Sequence, residues 1–153
     1  MKQVFTPLEQ IDSFLENELG KKALKGLIRF IPEMEKEFER VKKAVPFPLT
    51  EEAKQKYIDF ENINTELKKH ILESGLLVAF DWENWLEGKE ILDEIRPLSQ
   101  TSSIKVCKML TLIVRRDGSD FGYFDYHLRK GTLLSLLKNL SDNINKNSSS
   151  QTL

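Results

Sequence analysis

The sequence predicts a mainly α, compact single domain of about six or seven helices, with room for one short strand pair. Three observations predict it. Apolar residues recur at three- and four-residue steps, as in Leu24, Leu27, Ile28, Ile31, Met34, Phe38, Val41 and Val45. Residues suited to starting and stopping helices bracket those stretches. The run from Ile104 to Val114 is nearly all apolar and longer than a typical strand, which favours a helix buried almost all round over a central strand. At 153 residues the chain fits one domain, and a domain of that size buries roughly 70% of its unfolded surface without staples.

The first element is predicted at Thr6-Pro7-Leu8-Glu9, which reads as a capping box with proline at the first helical position. Leu8, Ile11, Leu15 and Leu19 then share a face, and Gly20 is the expected stop. Pro32 interrupts the second periodic stretch, so a kink or a fresh start is expected near Ile31. Pro46-Phe47-Pro48 breaks the chain into a surface connection.

Thr50 is the expected cap of a third helix striped by Ala53, Tyr57, Phe60, Ile63, Leu67 and Ile71 and closed by Gly75. Leu76 to Phe80 is a short continuous apolar link or strand, whose strand partner would be the long apolar run. Asp81 is placed to cap a helix carrying Trp82, Trp85, Leu92 and Ile95, closed by Pro97. Thr101-Ser102-Ser103 caps the helix from Ile104 to Arg116, whose last turn sets two arginines at the negative end of the helix dipole. Asp117 to Asp120 is a loop, and Phe121 to Lys130 a short helix stopped by Gly131. Thr132 starts a last helix through Leu140. Residues 1–140 form the expected domain. From 141 to 153 the chain turns to Ser, Asn, Asp and Lys, the composition of a disordered tail.

Composition narrows the function. Lys and Arg number 23 against 24 Asp and Glu, a net charge of −1, so no global positive field draws the chain to nucleic acid or an anionic membrane. No secretory signal is visible, and no apolar stretch approaches the roughly 20 residues that cross a bilayer. Cys107 is the only cysteine, set inside the apolar run as an inert buried thiol. These features point to a soluble protein of the cytoplasm.

Reactive constellations are absent. His70 and His127 have no partner at ligand spacing, and no CxxC or HExxH occurs, so no metal site and no cofactor are implied. His127 reads as a surface or half-buried residue rather than an acid or base. No phosphate-cradling glycine motif and no GxSxG elbow is present. No catalytic residue stands out.

The distinctive segment is FDWENW, Phe80 to Trp85. On a helix its two tryptophans would share one face, as a core anchor or as the wall of a groove for a ligand or partner peptide. A second group joins Arg115, Arg116, Arg129 and Lys130 to the aromatic segment Phe121 to Tyr126. Cations interleaved with rings can hold single-stranded nucleic acid. Asp117, Asp120 and Asp125 offset that charge and weigh against it.

Taken in order, LIRFIPEME at Leu27 to Glu35, FDWENW, KMLTLIVRRD at Lys108 to Asp117, and LLSLLKNL at Leu133 to Leu140 resemble a bacterial family known as domain of unknown function 6508. The likeness spans Leu24 to Leu140. Its most specific parts are the FDWxxW box and the run Met109-Leu110-Thr111 leading to Arg115. One departure is visible. The family pattern has an Arg-Phe pair after the aspartate, then an acid and a glycine, where this chain has Gly118-Ser119-Asp120-Phe121-Gly122; Gly122 matches, and Arg116 is the candidate stand-in for the lost arginine. The resemblance implies a mostly helical domain and no activity.

The favoured expectation is a non-enzymatic binding or protein-interaction module, whose partner is another protein or a second copy of the chain. Its ligand- or partner-binding residues would be Asp81, Trp82, Trp85, Arg115 and Tyr123. Two rivals remain. An enzyme or binder of a phosphorylated small molecule or nucleotide would gather Asp81, Arg115, Asp117 and Tyr123 around one pocket; a nucleic-acid binder would use the arginine-rich group.

Overall fold

In the computed structural model, which describes residues 3–44 and 50–151, short elements enclose one long apolar helix. The chain runs β1 (Phe5–Pro7), α1 (Ile11–Glu16), α2 (Glu18–Ile28), α3 (Ile31–Ala44), α4 (Glu51–Gln55), α5 (Glu61–Glu73) and β2 (Leu77–Ala79). It continues with α6 (Leu86–Leu92), α7 (Ser103–Asp117), α8 (Tyr123–Lys130) and α9 (Thr132–Gln151). Single 3-10 turns precede α1 and α6.

Helix α7 is the axis. Val106, Cys107, Met109, Leu110, Thr111, Leu112, Ile113 and Val114 are all buried, so the apolar run is a helix wrapped on nearly every side. Ser102 starts it by accepting the Lys105 N–H at 3.2 Å. Helices α5, α6, α8 and α9 and strand β2 pack around it. Leu133, Leu136, Leu137 and Leu140 of α9 complete the core, together with Leu24 and Leu27 of α2 and Met34 of α3. The result is the mainly helical single domain that the periodicity predicts.

Several local expectations give way to longer-range bonds. The Thr6 hydroxyl does not cap a helix. It donates to the Gly75 carbonyl at 2.7 Å, and Phe5–Pro7 pair in parallel with Leu77–Ala79. The strand pair therefore joins Leu77–Ala79 to the N-terminal segment, and the apolar run takes no part as a strand. A buried hydroxyl with a carbonyl in reach outweighs a cap that water could replace.

Gly20 does not stop a helix either. The break falls at Asn17, whose side chain accepts the Gly20 N–H at 2.9 Å and caps α2. A Cβ at Gly20 would lie 1.8 Å from the Phe14 carbonyl oxygen, so glycine lets α2 fold back on α1. Leu8 and Leu19 are exposed as a consequence.

Pro32 stands in the first turn of α3, where its missing N–H is harmless, and the expected fresh start is at Ile31. The predicted Pro46-Phe47-Pro48 breaker lies outside the described residues. Thr50 caps α4 by accepting the Ala53 N–H, but the third predicted helix parts between Lys56 and Phe60. There Glu37 takes the Asp59 N–H at 2.7 Å and Arg40 the Tyr57 carbonyl at 2.9 Å. Helix α9 runs beyond Leu140, where composition predicts a tail. Ile144 packs on the core, and Asn143 donates to the Thr101 carbonyl at 2.9 Å.

Candidate functional site

The FDWENW box is built from β2 outward. Thr111, in the middle of α7, accepts the Val78 N–H at 2.9 Å and donates to the Cys107 carbonyl at 2.7 Å. That fixes β2 on α7 and sets Phe80 beside the helix. The expected Asp81 cap does not form. Asp81 instead accepts from the Asn84 amide at 2.7 Å, closing the turn on itself. Trp82–Asn84 form a 3-10 turn, and Trp85 has a non-helical backbone (φ −84°, ψ 87°) before α6 begins at Leu86. The tryptophans are thus not two steps on one α-helical face.

They reach a common side by another route. Trp85 packs edge-to-face on Phe80, with ring centroids 5.6 Å apart. Its indole covers Gly88, where a Cβ would come within 2.3 Å of the ring, so any larger residue at 88 displaces it. Lys108 stands over both rings, 4.8 Å from Phe80 and 4.5 Å from Trp85. Arg115 stands over Phe5 at 5.3 Å and Trp82 at 5.9 Å. Lys108 and Arg115 lie two turns apart on α7, about 10 Å along its axis. Neither has a carboxylate within salt-bridge distance among the described residues. Among the described residues neither indole N–H has an intramolecular acceptor, and neither is among the sealed, unpartnered atoms. Leu86, 66% exposed, and Phe5 add apolar surface beside them.

Of the five predicted binding residues, the structure gathers Trp82, Trp85 and Arg115 on this side, with Asp81 in the same turn. Tyr123 belongs elsewhere. Its ring meets His127 at 4.6 Å and lies under Arg116 at 4.6 Å. Its hydroxyl is buried, and burial raises its pKa against the opposing pull of the Arg116 guanidinium. Asp117 is committed to structure: it accepts from Lys68 and from the Phe124 N–H, the latter at 2.9 Å. Burial opposes its ionisation, but those two bonds outweigh it and hold the carboxyl below its usual range. Asp81, Arg115, Asp117 and Tyr123 therefore make separate contacts, and none lines either of two grooves of about 450 and 350 Å³.

The arginine-rich group is also occupied. Arg129 donates to Asp125 at 2.7 Å and to the Gln55 and Ile58 carbonyls, clamping α8 to the segment after α4. Lys130 pairs with Glu94 at 3.1 Å. His127 is not the surface or half-buried residue expected from sequence but a fully buried one: it is 1% exposed, its Nδ1 lies 3.1 Å from the Thr132 hydroxyl, and burial pushes its pKa down to about 4. Burial likewise pushes the Cys107 thiol up to about 12, which leaves it un-ionised and unreactive at neutral pH.

Sequence reasoning missed Lys108 and Phe5. Lys108 was findable, since it interrupts an apolar run seven residues before Arg115. Phe5 was not, because only the pairing of β1 with β2 brings it there.

Among the described residues, no group of three or more His, Cys, Asp or Glu side chains is placed to hold a metal ion. No described helix is long and apolar enough to cross a membrane. The family model described as Family of unknown function (DUF6508) matches residues 19–146. No curated protein and no solved structure matches the chain.

Proposed function

The chain belongs to the family of unknown function DUF6508, and from that premise we propose that it is a non-enzymatic protein-interaction module that docks its partner on the FDWENW side of α7. One observation carries the reading: Phe5, Phe80, Trp82 and Trp85 cluster with two cations that have no carboxylate within salt-bridge distance among the described residues. Tryptophan and arginine are the side chains that most often dominate binding energy at protein interfaces. Rings braced by a rigid helix lose little entropy on docking, which favours a preformed surface. The proposed setting is the cytoplasm of a bacterium, consistent with a single buried free thiol.

The test uses two variants whose fold is first checked by circular dichroism. Trp85→Ser removes the central ring, and Leu86→Asp places a charge on an exposed neighbour. A partner captured by the wild-type protein is identified, purified and titrated against all three forms by calorimetry. We expect both variants to weaken binding by at least about 2 kcal/mol, the scale of an interface hot spot. A purified partner that binds both variants as well as wild type would overturn the reading, and so would a wild-type protein that captures nothing.

A further inference from the structure

We propose that the FDWENW side recognises an acidic peptide segment whose two carboxylates are three residues apart in a polyproline-II backbone. This rests on the interaction-module reading and names the chemistry of the partner.

The argument begins with what the face offers. Lys108 and Arg115 bring two positive charges, and Trp82 and Trp85 bring two N–H donors with no intramolecular acceptor. All four groups donate. A complementary ligand must supply acceptors and negative charge. Elsewhere nearby, cations are already matched: Lys105 pairs with Glu87, and Arg96 with Glu90 at 2.8 Å. Lys108, which feels Glu87 only at longer range, and Arg115 have no carboxylate within salt-bridge distance among the described residues, and both stand over the aromatic cluster.

Spacing narrows the ligand. Two turns of helix separate the cations by about 10 Å. A polyproline-II segment has three residues per turn and rises about 3.1 Å per residue, so side chains three residues apart lie on one edge and span nearly the same distance. Carboxylates at positions i and i+3 of such a segment can meet both cations at once. Arg115 is suited to a bidentate carboxylate contact, and Lys108 to a point charge.

A nucleic-acid strand fits less well. Base stacking needs open ring faces, whereas Lys108 and Arg115 already stand over them. Asp81 and Glu83 are exposed at the border of the cluster. They repel a chain with a charge at every step and tolerate one with two discrete carboxylates.

The chain has only two tryptophans, so its two indole N–H signals report on this face alone. We would titrate acetyl-Glu-Ala-Ala-Glu-amide into the ¹⁵N-labelled full chain at low salt. The controls are the Gln-Ala-Ala-Gln twin and an eight-residue oligothymidylate. The expected result is a saturable shift of both indole signals with the Glu peptide and none with its twin. The still-folded Lys108→Gln/Arg115→Gln double variant should bind at least about tenfold more weakly.

Equal response to the twin, no response to the Glu peptide, undiminished binding by the double variant, or tighter binding of the oligonucleotide would each overturn the proposal. If the peptide fails while a purified partner still depends on Trp85, only the acidic-segment inference falls. If the peptide binds while no partner is captured, the module reading falls instead.

Discussion

Arg115 and Arg116 are neighbours in sequence and meet different fates. Arg115 turns toward Phe5 and Trp82, joins Lys108 on the FDWENW side, and has no carboxylate partner. Arg116 turns toward Tyr123 and the α8 region, where Arg129 and Lys130 are held by acids and carbonyls. Both regions set cations over aromatic rings, so composition alone ranks them as equals. What separates them is that Arg129 and Lys130 of the α8 region are paired with acids, whereas Lys108 and Arg115 have no carboxylate within salt-bridge distance among the described residues; Arg116 lies over Tyr123 without one either. A matched cation contributes to the fold; an unmatched one beside exposed rings remains available to something else.

If that contrast holds, the α8 region should fail first in acid. His127 is neutral in the folded state, with its pKa lowered from 6.5 to about 4, while the unfolded chain takes up a proton near 6.5. Between those values the unfolded state binds more protons, so stability falls as pH falls through that window. The loss reaches at most about 3 kcal/mol. Asp117 acts in the same direction at lower pH, since its lowered pKa stabilises the fold until protonation removes the carboxylate's bonds to Lys68 and Phe124. Urea unfolding at pH 7, 5.5 and 4.5 measures the slope. His127→Phe should flatten it; an equal slope in that variant would place the acid sensitivity outside the α8 region.

Arg129 gives the next largest effect. Arg129→Met keeps much of the stem and removes the charged donors to Asp125, Gln55 and Ile58. The expected cost is about 2 kcal/mol, as for charge-assisted bonds that are partly screened. It is read as a shift in urea midpoint at constant slope. A cost near zero would mean that the clamp is decorative, and the two regions would no longer differ.

Thr111→Val sharpens the other side of the contrast. The swap preserves shape but leaves the Val78 N–H without its acceptor. About 1 kcal/mol of stability should be lost. Because Phe80 follows β2 directly, the indole signals of Trp82 and Trp85 should move as well. Unmoved signals would show that β2 does not position the box.

How much of this was legible follows from the range of each interaction. The α7 helix was readable because its burial is encoded in its own eight apolar residues between Ile104 and Val114. The starts at Ile31 and Ser103 were readable because proline and serine act on their immediate neighbours. Thr6 misled because its partner, Gly75, lies 69 residues away, and local chemistry gave it an adequate alternative as a cap. His127 misled for a similar reason: its short helix looks polar, and only the docking of α9 buries it. At the candidate site the tryptophans and Arg115 stood out by type. Their grouping depended on β1–β2 pairing and on the bond from Thr111, neither of which leaves a periodic trace.

The smallest expected effect tests the contrast most directly. Arg115 is exposed at the end of α7, and its contacts with Phe5 and Trp82 are those of a cation over rings at a wet surface. Such a contact is worth about 0.5 kcal/mol, so Arg115→Gln should leave the urea midpoint nearly unchanged while weakening the acidic peptide. Arg129→Met should do the reverse, lowering stability and sparing the peptide under conditions where the protein is folded. The double dissociation matters because one variant removes an arginine bonded to Asp125 and two carbonyls, and the other an exposed arginine that stands over rings with no carboxylate in salt-bridge range among the described residues. Should Arg115→Gln prove as destabilising as Arg129→Met, the FDWENW side would be one more structural brace, and its unpaired cations would have no claim on a partner.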